Sequence, residues 1–300
     1  MPVLTDNARG ALLMMASMAS FTINDTFVKV VGDELPLMQI LFLRGLATTT
    51  LIGLLAWRLR RIELRLSGRD GALVLLRTGC EVGAAYFFLT ALINMPLANV
   101  TAILQVLPLT VALGGALVFG ERIGWRRLTA ILVGFAGMLL IVRPGPEGFN
   151  LYAGYALVAV AMVTVRDLAT RRMSSAVPSL TVTLAAAAGV TLFAALAGLG
   201  QGWTAVTGRQ AGLIGASAVF IMGGYLCSVL VMRVGEVAVV APFRYTGLLW
   251  ALVLGWAVFG DWPAPLTLLG AAIIAATGIY TMLREARLAR RARPVVPPSR

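Results

Sequence analysis

Ten long apolar runs separated by short breaks constrain this chain more than any other feature of its sequence. They lie at about 10–31, 37–57, 71–93, 97–119, 125–143, 151–170, 179–199, 210–232, 236–259 and 265–283. A helix that crosses the hydrocarbon core of a bilayer needs about 20 apolar residues, and each run is close to that length. A transmembrane β-barrel would show short segments of alternating hydrophobicity instead. The runs therefore predict an all-α integral membrane protein with ten transmembrane helices.

The residue composition agrees with a lipid environment and excludes several kinds of function. Hydrophobic residues make up 59% of the 300 residues and charged residues only 13%, whereas a soluble domain has about 25% charged residues. The chain contains no histidine, which removes histidine metal ligands and every catalytic arrangement that needs a histidine base. It also contains no G-x-x-x-x-G-K-[ST] motif for binding ATP. We therefore expect no enzymatic activity, no cofactor and no metal site.

The distribution of basic residues predicts which side of the membrane each loop faces. With the N-terminus inside, 18 of the 25 Lys and Arg residues fall in inner segments, and only Arg143 and Arg209 fall in outer ones. Cytoplasmic loops carry such an excess, so we expect both termini in the cytoplasm and the protein in the bacterial inner membrane. The same loops account for the net charge of +12, and we expect no nucleic-acid partner. The remaining five basic residues lie within the spans: Lys29, Arg44, Arg77, Arg166 and Arg244.

Two sequence patterns recur between the halves of the chain. The pattern D-x3-K-x6-P, formed by Asp25, Lys29 and Pro36, returns as D-x3-R-x6-P, formed by Asp167, Arg171 and Pro178. The run 117–121 likewise resembles the run 257–261. Five spans per repeat is an odd number, which inverts the second copy relative to the first, and inverted repeats are typical of secondary transporters. We predict a first repeat at 1–145, a second at 146–285 and a disordered basic cytoplasmic tail at 286–300.

These motifs resemble a known family. The run from Ala98 through Pro108 to Phe119-Gly120-Glu121, with the following Gly134-Phe135-Ala136-Gly137, resembles the repeat signature of EamA-type transporters in the drug/metabolite transporter superfamily. The second copy, Val237 to Gly278, resembles it more loosely, because Asp261 replaces the Glu and Pro242 stands six residues earlier than a counterpart of Pro108 would.

The resemblance implies a central cavity lined mainly by helices one, three, four, six, eight and nine. It also implies a secondary transporter, which we expect to export a small organic metabolite, such as an amino acid, by alternating access. An importer of a planar vitamin-like or nucleoside-like metabolite, such as riboflavin, is the alternative, and a channel or membrane scaffold is a weaker one. A monomer and a homodimer both stay open.

Ionisable side chains within spans usually face the interior of a helix bundle and mark functional positions. Glu81, about ten residues into the third helix, is a candidate for substrate binding and proton coupling, or for a static ion pair with Arg77 one turn earlier. Arg244 stands beside Pro242 and Tyr245 in the ninth helix. Its guanidinium suits a carboxylate or a planar ring of the substrate, although a bridge to Glu81 would also use it.

Further candidates are polar groups near helix ends and on cavity-facing positions. In each half an acid precedes a base by one helical turn, which predicts local pairs that act as gates or that anchor the helix ends. These pairs are Asp25 with Lys29 and Asp167 with Arg171. Other substrate-binding candidates are Asn24, Gln105, Tyr86, Tyr225 and Tyr245, with Tyr86 and Tyr225 at near-equivalent places in helices three and eight.

Overall fold

The computed structural model describes residues 6–59, 66–120, 124–142, 150–174, 176–234 and 240–292, and all regular structure in these ranges is helical. A 3-10 helix, Ala241–Tyr245, leads directly into α10. The helices are α1 Asp6–Gly32, α2 Leu37–Leu59, α3 Gly68–Asn94, α4 Leu97–Leu104, α5 Leu107–Phe119, α6 Trp125–Val142, α7 Leu151–Arg172, α8 Ser179–Ala197, α9 Gly208–Val234, α10 Thr246–Phe259 and α11 Pro265–Ala292.

The helices confirm the prediction of an all-α integral membrane protein. Nine helical segments of the described ranges are long and apolar enough to cross a membrane, with α4 and α5 counted as one segment. The tenth is α6, whose apolar part Leu128–Val142 is shorter. Large apolar side chains cover the outside of the bundle, where Leu117 is 79% exposed and Trp57 75% exposed. Lipid is the solvent in which such a surface is stable.

Two of the predicted spans are interrupted. The fourth span was expected to be one helix over 97–119, but it breaks at Gln105 and Val106 between α4 and α5. Pro108 lies in the first turn of α5, where its missing N–H costs nothing, and it cannot support a continuous helix through the preceding turn. The ninth span was expected to begin at 236, but its first described turn is the 3-10 helix that contains Pro242.

The two interruptions occupy equivalent places in the two halves. The break in the fourth span ends at Leu107, and the 3-10 helix gives way to α10 at Thr246. The two broken spans end at Phe119 and Phe259, each followed by a glycine with left-handed backbone, Gly120 at φ 67° and Gly260 at φ 70°. Glycine adopts this conformation without steric cost, so the two copies of the F-G-[ED] motif end their helices in the same way.

The closest helix pairs each take one helix from either half of the chain. They are α1 with α9, α3 with α7, α2 with α8 and α6 with α11. Between α2 and α8, the hydroxyls of Thr49 and Thr191 share a hydrogen bond of 3.1 Å, and these residues are 142 positions apart. This separation equals the spacing of the Asp25 and Asp167 motifs. The halves are therefore interleaved, and equivalent residues meet where α2 crosses α8.

The last helix is longer than the sequence indicated. The tail was expected to be disordered from residue 286, but α11 continues to Ala292. Alanine, leucine and arginine, which dominate this stretch, are all strong helix formers. Residues 293–300 lie outside the described ranges, as do Arg143 and Glu121 of the predicted turns.

Candidate functional site

A cavity of about 290 Å³ lies in the middle of the bundle, between the two halves. Its walls come from α1, α3, α4, α5, α7, α9 and the 3-10 helix, and also from α2. The charged residues of the wall are Asp25, Arg44, Glu81, Arg166 and Arg244. Three guanidinium groups thus face two carboxylates in a space otherwise enclosed by apolar helices.

Glu81 lies in a salt bridge that joins the halves. Arg166 Nη1 on α7 donates to both carboxylate oxygens of Glu81, at 3.1 and 3.4 Å. Arg166 Nε also donates to Asp167 Oδ1 at 2.9 Å. Arg77, the partner expected for Glu81, comes no closer than 4.0 Å. Glu81 therefore forms an ion pair whose closer partner is Arg166 and not Arg77.

Arg244 faces the cavity without bridging to Glu81. It is the fourth residue of the 3-10 helix, and its side chain is exposed although the residue lies at the centre of the bundle. Its backbone carbonyl accepts a long hydrogen bond of 3.5 Å from Gln105 Nε2. Among the described residues its guanidinium forms no ion pair within 4 Å. Gln105 and Arg244 thus bring the two helix breaks together at the cavity wall.

Asp25 and Asn24 form the end of a short polar chain on α1. Ser217 Oγ on α9 donates to Asn24 Oδ1 at 2.6 Å, and Asn24 Nδ2 donates to Asp25 Oδ1 at 2.9 Å. Arg44 lies within electrostatic range of Asp25. The predicted local pair of Asp25 with Lys29 does not form, because the Lys29 ammonium is used elsewhere.

Lys29 caps the end of α3. Its Nζ donates to the carbonyl oxygens of Leu92, Ile93 and Met95, at 3.0, 3.2 and 2.6 Å, and lies 5.4 Å from the ring centre of Phe259. A cation at the carboxyl end of a helix satisfies its last carbonyls. This contact matches the anchoring interpretation. In the other half, the Arg171 guanidinium lies 5.0 Å from the ring centre of Phe119, so neither Lys29 nor Arg171 lines the cavity.

The three candidate tyrosines divide between the cavity and the protein interior. Tyr225 lines the cavity and meets the ring of Phe21 edge-on at 5.4 Å. Tyr86 packs against Phe87 and Phe193 instead, and Tyr245 is buried, 6% exposed, with no hydrogen-bond partner for its hydroxyl. Of the three tyrosine candidates, the structure therefore brings Tyr225 to the cavity wall and places Tyr86 and Tyr245 away from it.

Two charged wall residues, Arg44 and Arg166, were not among the candidates. Both had been recognised as basic residues within spans, and the cost of placing charge in lipid was the signal that would have identified them. The aromatic wall residues Phe21 and Phe88 carried no such signal, because phenylalanine is ordinary in any membrane helix. In the described part of the chain, His, Cys, Asp and Glu form no group of three or more able to hold a metal ion.

The chain is similar in sequence to known membrane transporters. Residues 8–143 match the EamA-like transporter family. The chain is 28% identical over 268 residues to the pseudopaline exporter of Pseudomonas aeruginosa, covering 88% of this chain and 93% of the exporter. It is 27% identical over 224 residues to the riboflavin transporter of Rhizobium johnstonii, covering 73% and 70%. It is 23% identical over 193 residues to the S-adenosylmethionine uptake transporter of Rickettsia prowazekii, covering 63% and 64%.

A solved crystal structure has the same fold. It superposes on 93% of this chain and 98% of its own chain, with a TM-score of 0.64 and 18% sequence identity. Together with the apolar helices, these similarities identify a multi-pass membrane protein that transports small molecules and is not an enzyme.

Proposed function

Because the chain is an EamA-type transporter of the drug/metabolite transporter superfamily, we propose that it exports a small metabolite that carries a carboxylate, by alternating access through the central cavity. The observation that carries this proposal is the charged wall of that cavity. Three arginines and two acids give it a formal charge of +1 when both acids are ionised. The similarity to the pseudopaline exporter supports export, and the charge supports an anionic or zwitterionic substrate.

The guanidinium groups of the wall have different roles. Arg166 is held by Glu81 and Asp167, so it organises the wall. Arg244 is exposed to the cavity and forms no ion pair within the described residues, and a guanidinium binds a carboxylate through two parallel hydrogen bonds. Arg244 is therefore the residue that holds the substrate carboxylate, with Gln105, Asn24 and Tyr225 as neutral hydrogen-bonding neighbours.

Proton coupling falls to Asp25 rather than Glu81. Glu81 is committed to a salt bridge with Arg166, and protonating it would remove one of the two carboxylates that neutralise this guanidinium. In the described part of the chain, Asp25 accepts a hydrogen bond from the Asn24 amide and forms no ion pair within 4 Å. Protonating Asp25 therefore breaks no salt bridge, and it can exchange a proton during each transport cycle at lower cost than Glu81. Asp167 and Arg171 then belong to the inner end of α7, outside the coupling step.

The organisation of the chain follows from the same proposal. The repeats occupy 1–145 and 146–285, with both termini in the cytoplasm and the protein in the inner membrane. The equivalent helix breaks and the hydrogen bond of Thr49 to Thr191 support the repeat boundaries. Reporter fusions at the loop before Asn150 test the topology, because a cytoplasmic signal there contradicts five spans per repeat.

Counterflow in liposomes tests the proposed substrate class. Purified protein is reconstituted, loaded with unlabelled compound and assayed for uptake of labelled amino acids, dicarboxylic amino acids, riboflavin and S-adenosylmethionine. We expect saturable, trans-stimulated uptake of a carboxylate-bearing compound that Arg244→Gln reduces at least tenfold. Arg209→Gln, at an exposed ion pair outside the cavity, is the matched control and retains uptake.

Two outcomes contradict the proposal. Unsaturable flux without trans-stimulation indicates a channel, and full transport by Arg244→Gln excludes the assigned carboxylate contact.

Import of a planar metabolite is the second candidate function, supported by Phe21, Phe88 and Tyr225 in the cavity wall and by the similarity to a riboflavin transporter. Uptake of riboflavin that is insensitive to Arg244→Gln favours that candidate.

A further inference from the structure

A second cavity of about 170 Å³ adjoins the central one, between α2, α3, α8 and α9. Five residues line both cavities and form the partition between them, of which Arg44, Glu81 and Tyr225 are polar and Ala85 and Ile221 apolar. Arg77 and Thr183 line only the second cavity. Arg77 precedes Glu81 by one helical turn, and Thr183 lies in the first turns of α8. The second cavity is therefore displaced from the centre toward the side of the bundle where α3 begins.

A hydrogen-bond donor on Arg77, beside the second cavity, lacks an acceptor among the described residues. Arg77 is held in place by its Nε, which donates to Thr170 Oγ1 on α7 at 3.1 Å. Among the described residues its Nη1 has no hydrogen-bond partner, since the nearest carboxylate oxygen, on Glu81, is 4.0 Å away. A buried donor on a charged group that lacks an acceptor is costly to leave unpaired. Nη1 itself is fully buried, but Arg77 lines the cavity, so a rotation of its guanidinium toward that space lets Nη1 pair with an acceptor there.

The charges around this space favour an anionic acceptor. Arg44 and Arg77 both line the cavity, and the one acid among the lining residues, Glu81, already receives two hydrogen bonds from Arg166. Apart from Tyr225, the rest of the wall consists of apolar residues and threonines, including Thr48, Thr183 and Ala186. A volume of 170 Å³ is below the range of about 300–1,000 Å³ that holds whole ligands, but it accommodates a carboxylate group.

We propose that the second cavity is an anion-binding subsite, in which Arg77 Nη1 and Arg44 bind a carboxylate. The role of the subsite in transport rests on the proposed function. In that role, the subsite receives the substrate carboxylate as the substrate passes between the central cavity and the side where α3 begins. Arg77 is then a binding residue, and the Arg44–Glu81–Tyr225 partition separates two successive positions of the substrate.

Charge-selective thiol labelling tests the subsite without any transport assay. In a Cys80→Ser, Cys227→Ser background, Thr183→Cys is reacted with two methanethiosulfonate reagents, one bearing a sulfonate and one a trimethylammonium group. We expect the sulfonate reagent to react faster than the trimethylammonium reagent. Arg77→Gln should lower the ratio of the two rates about tenfold, because one positive charge a few ångströms away is removed. Arg209→Gln is the matched control and leaves the ratio unchanged.

Competition identifies the ligand chemistry. Acetate and glutarate, added to the wild-type background at millimolar concentration, should slow labelling of Thr183→Cys, and Arg77→Gln should abolish this protection. Equal rates for the two reagents, or a ratio that Arg77→Gln does not change, overturn the proposal. Protection that persists in Arg77→Gln assigns the anion to another position and also overturns it.

The outcome is independent of the proposed function. Labelling can confirm an anion subsite in a protein that shows no counterflow, in which case the subsite stands and the transport proposal fails. If counterflow occurs, Arg77→Gln should raise the substrate KM at least fivefold on the side where α3 begins, with a smaller change on the opposite side. Equal changes on both sides exclude a subsite that serves one side.

Discussion

Replacing Lys29 with methionine separates its two possible roles, helix anchor and gate. Methionine keeps the length and apolar stem of lysine but removes the ammonium, which donates to three carbonyl oxygens at 2.6–3.2 Å and is 8% exposed. All three acceptors lie at the end of α3 and in the turn that leads to α4. The variant therefore leaves three carbonyls at the end of this helix without their donor.

The expected loss of stability follows from these three bonds. A hydrogen bond in a protein contributes about 1 kcal/mol net, and one to a charged group about 1.5–3 kcal/mol. Part of the gain is offset by the cost of burying the ammonium, so we expect the free energy of unfolding to fall by about 3–4 kcal/mol. At about 2–4 °C per kcal/mol for a chain of this order of size, the midpoint of thermal unfolding should drop by about 10 °C.

Thermal unfolding in detergent, followed by circular dichroism, measures this drop. Arg209→Gln serves as the control, because it removes an ion pair with Glu34 in which the Arg209 side chain is 62% exposed, and such an exposed pair contributes little to stability. A drop below 2 °C for Lys29→Met refutes the capping argument. Counterflow per folded molecule, measured at a temperature where Lys29→Met is folded, then tests the gate. If Lys29 only anchors the helix end, counterflow stays near the wild-type value. If Lys29 is part of a gate, counterflow changes.

Three further predictions concern other parts of the bundle. Gly278→Ala places a methyl group against the Tyr245 hydroxyl and should lower the free energy of unfolding by about 1–3 kcal/mol. Tyr245→Phe removes a buried hydroxyl that has no partner among the described residues, so it should not destabilise the protein. In the double variant it should partly restore the unfolding midpoint that Gly278→Ala lowers. Hydrogen bonds from Gln210 and Arg209 lower the pKa of Glu34. Their contribution to stability is complete above the ordinary carboxyl pKa of about 4.3 and is lost as the pH falls through the lowered pKa. In Glu34→Gln, the midpoint of thermal unfolding should therefore fall less steeply with decreasing pH than in the wild type. Ser217→Ala removes the 2.6 Å bond to Asn24 and should cost about 1 kcal/mol, with an unchanged midpoint contradicting a role for this bond.

The spans were predictable because their signals are local. Continuous apolar runs, the excess of arginine on one side and the recurrence of Asp25 and Asp167 can be counted along the sequence. The pairing of charges was not predictable, because helices that meet in space are far apart in sequence. Glu81 was assigned to Arg77 on its own helix, while its closer partner, Arg166, stands 85 residues away.

The helix breaks show the same division between local and tertiary causes. Each broken span contains a proline, Pro108 or Pro242, but in the register of the two halves these prolines are six residues out of step. The structure brings the transitions to equivalent places nevertheless, at Leu107 and Thr246. Proline disturbs the turn that precedes it, which accounts for the break before Pro108. Pro242 lies at the start of the 3-10 helix and four residues before Thr246, so the equivalent position of the second transition does not follow from its proline. Tyr245 faced the interior for a related reason, since a 3-10 turn rotates side chains differently from the α-helix assumed for that segment.

The hydrogen bond between Thr49 and Thr191 yields a last prediction from symmetry. If two inverted repeats exchange conformations during alternating access, a pair of equivalent residues is carried onto itself, and its separation is the same in both states. Thr49 and Thr191 are such a pair, and their hydroxyls lie 3.1 Å apart.

A disulfide between Thr49→Cys and Thr191→Cys, made in the Cys80→Ser, Cys227→Ser background, should therefore permit transport, with less than a twofold change in counterflow upon reduction. Reduction of the same sample is the internal control, and gel mobility after cleavage of the loop between the two positions verifies the cross-link. Loss of transport that reduction restores would show that α2 and α8 separate during the cycle, which an exchange of conformations between equivalent repeats does not allow.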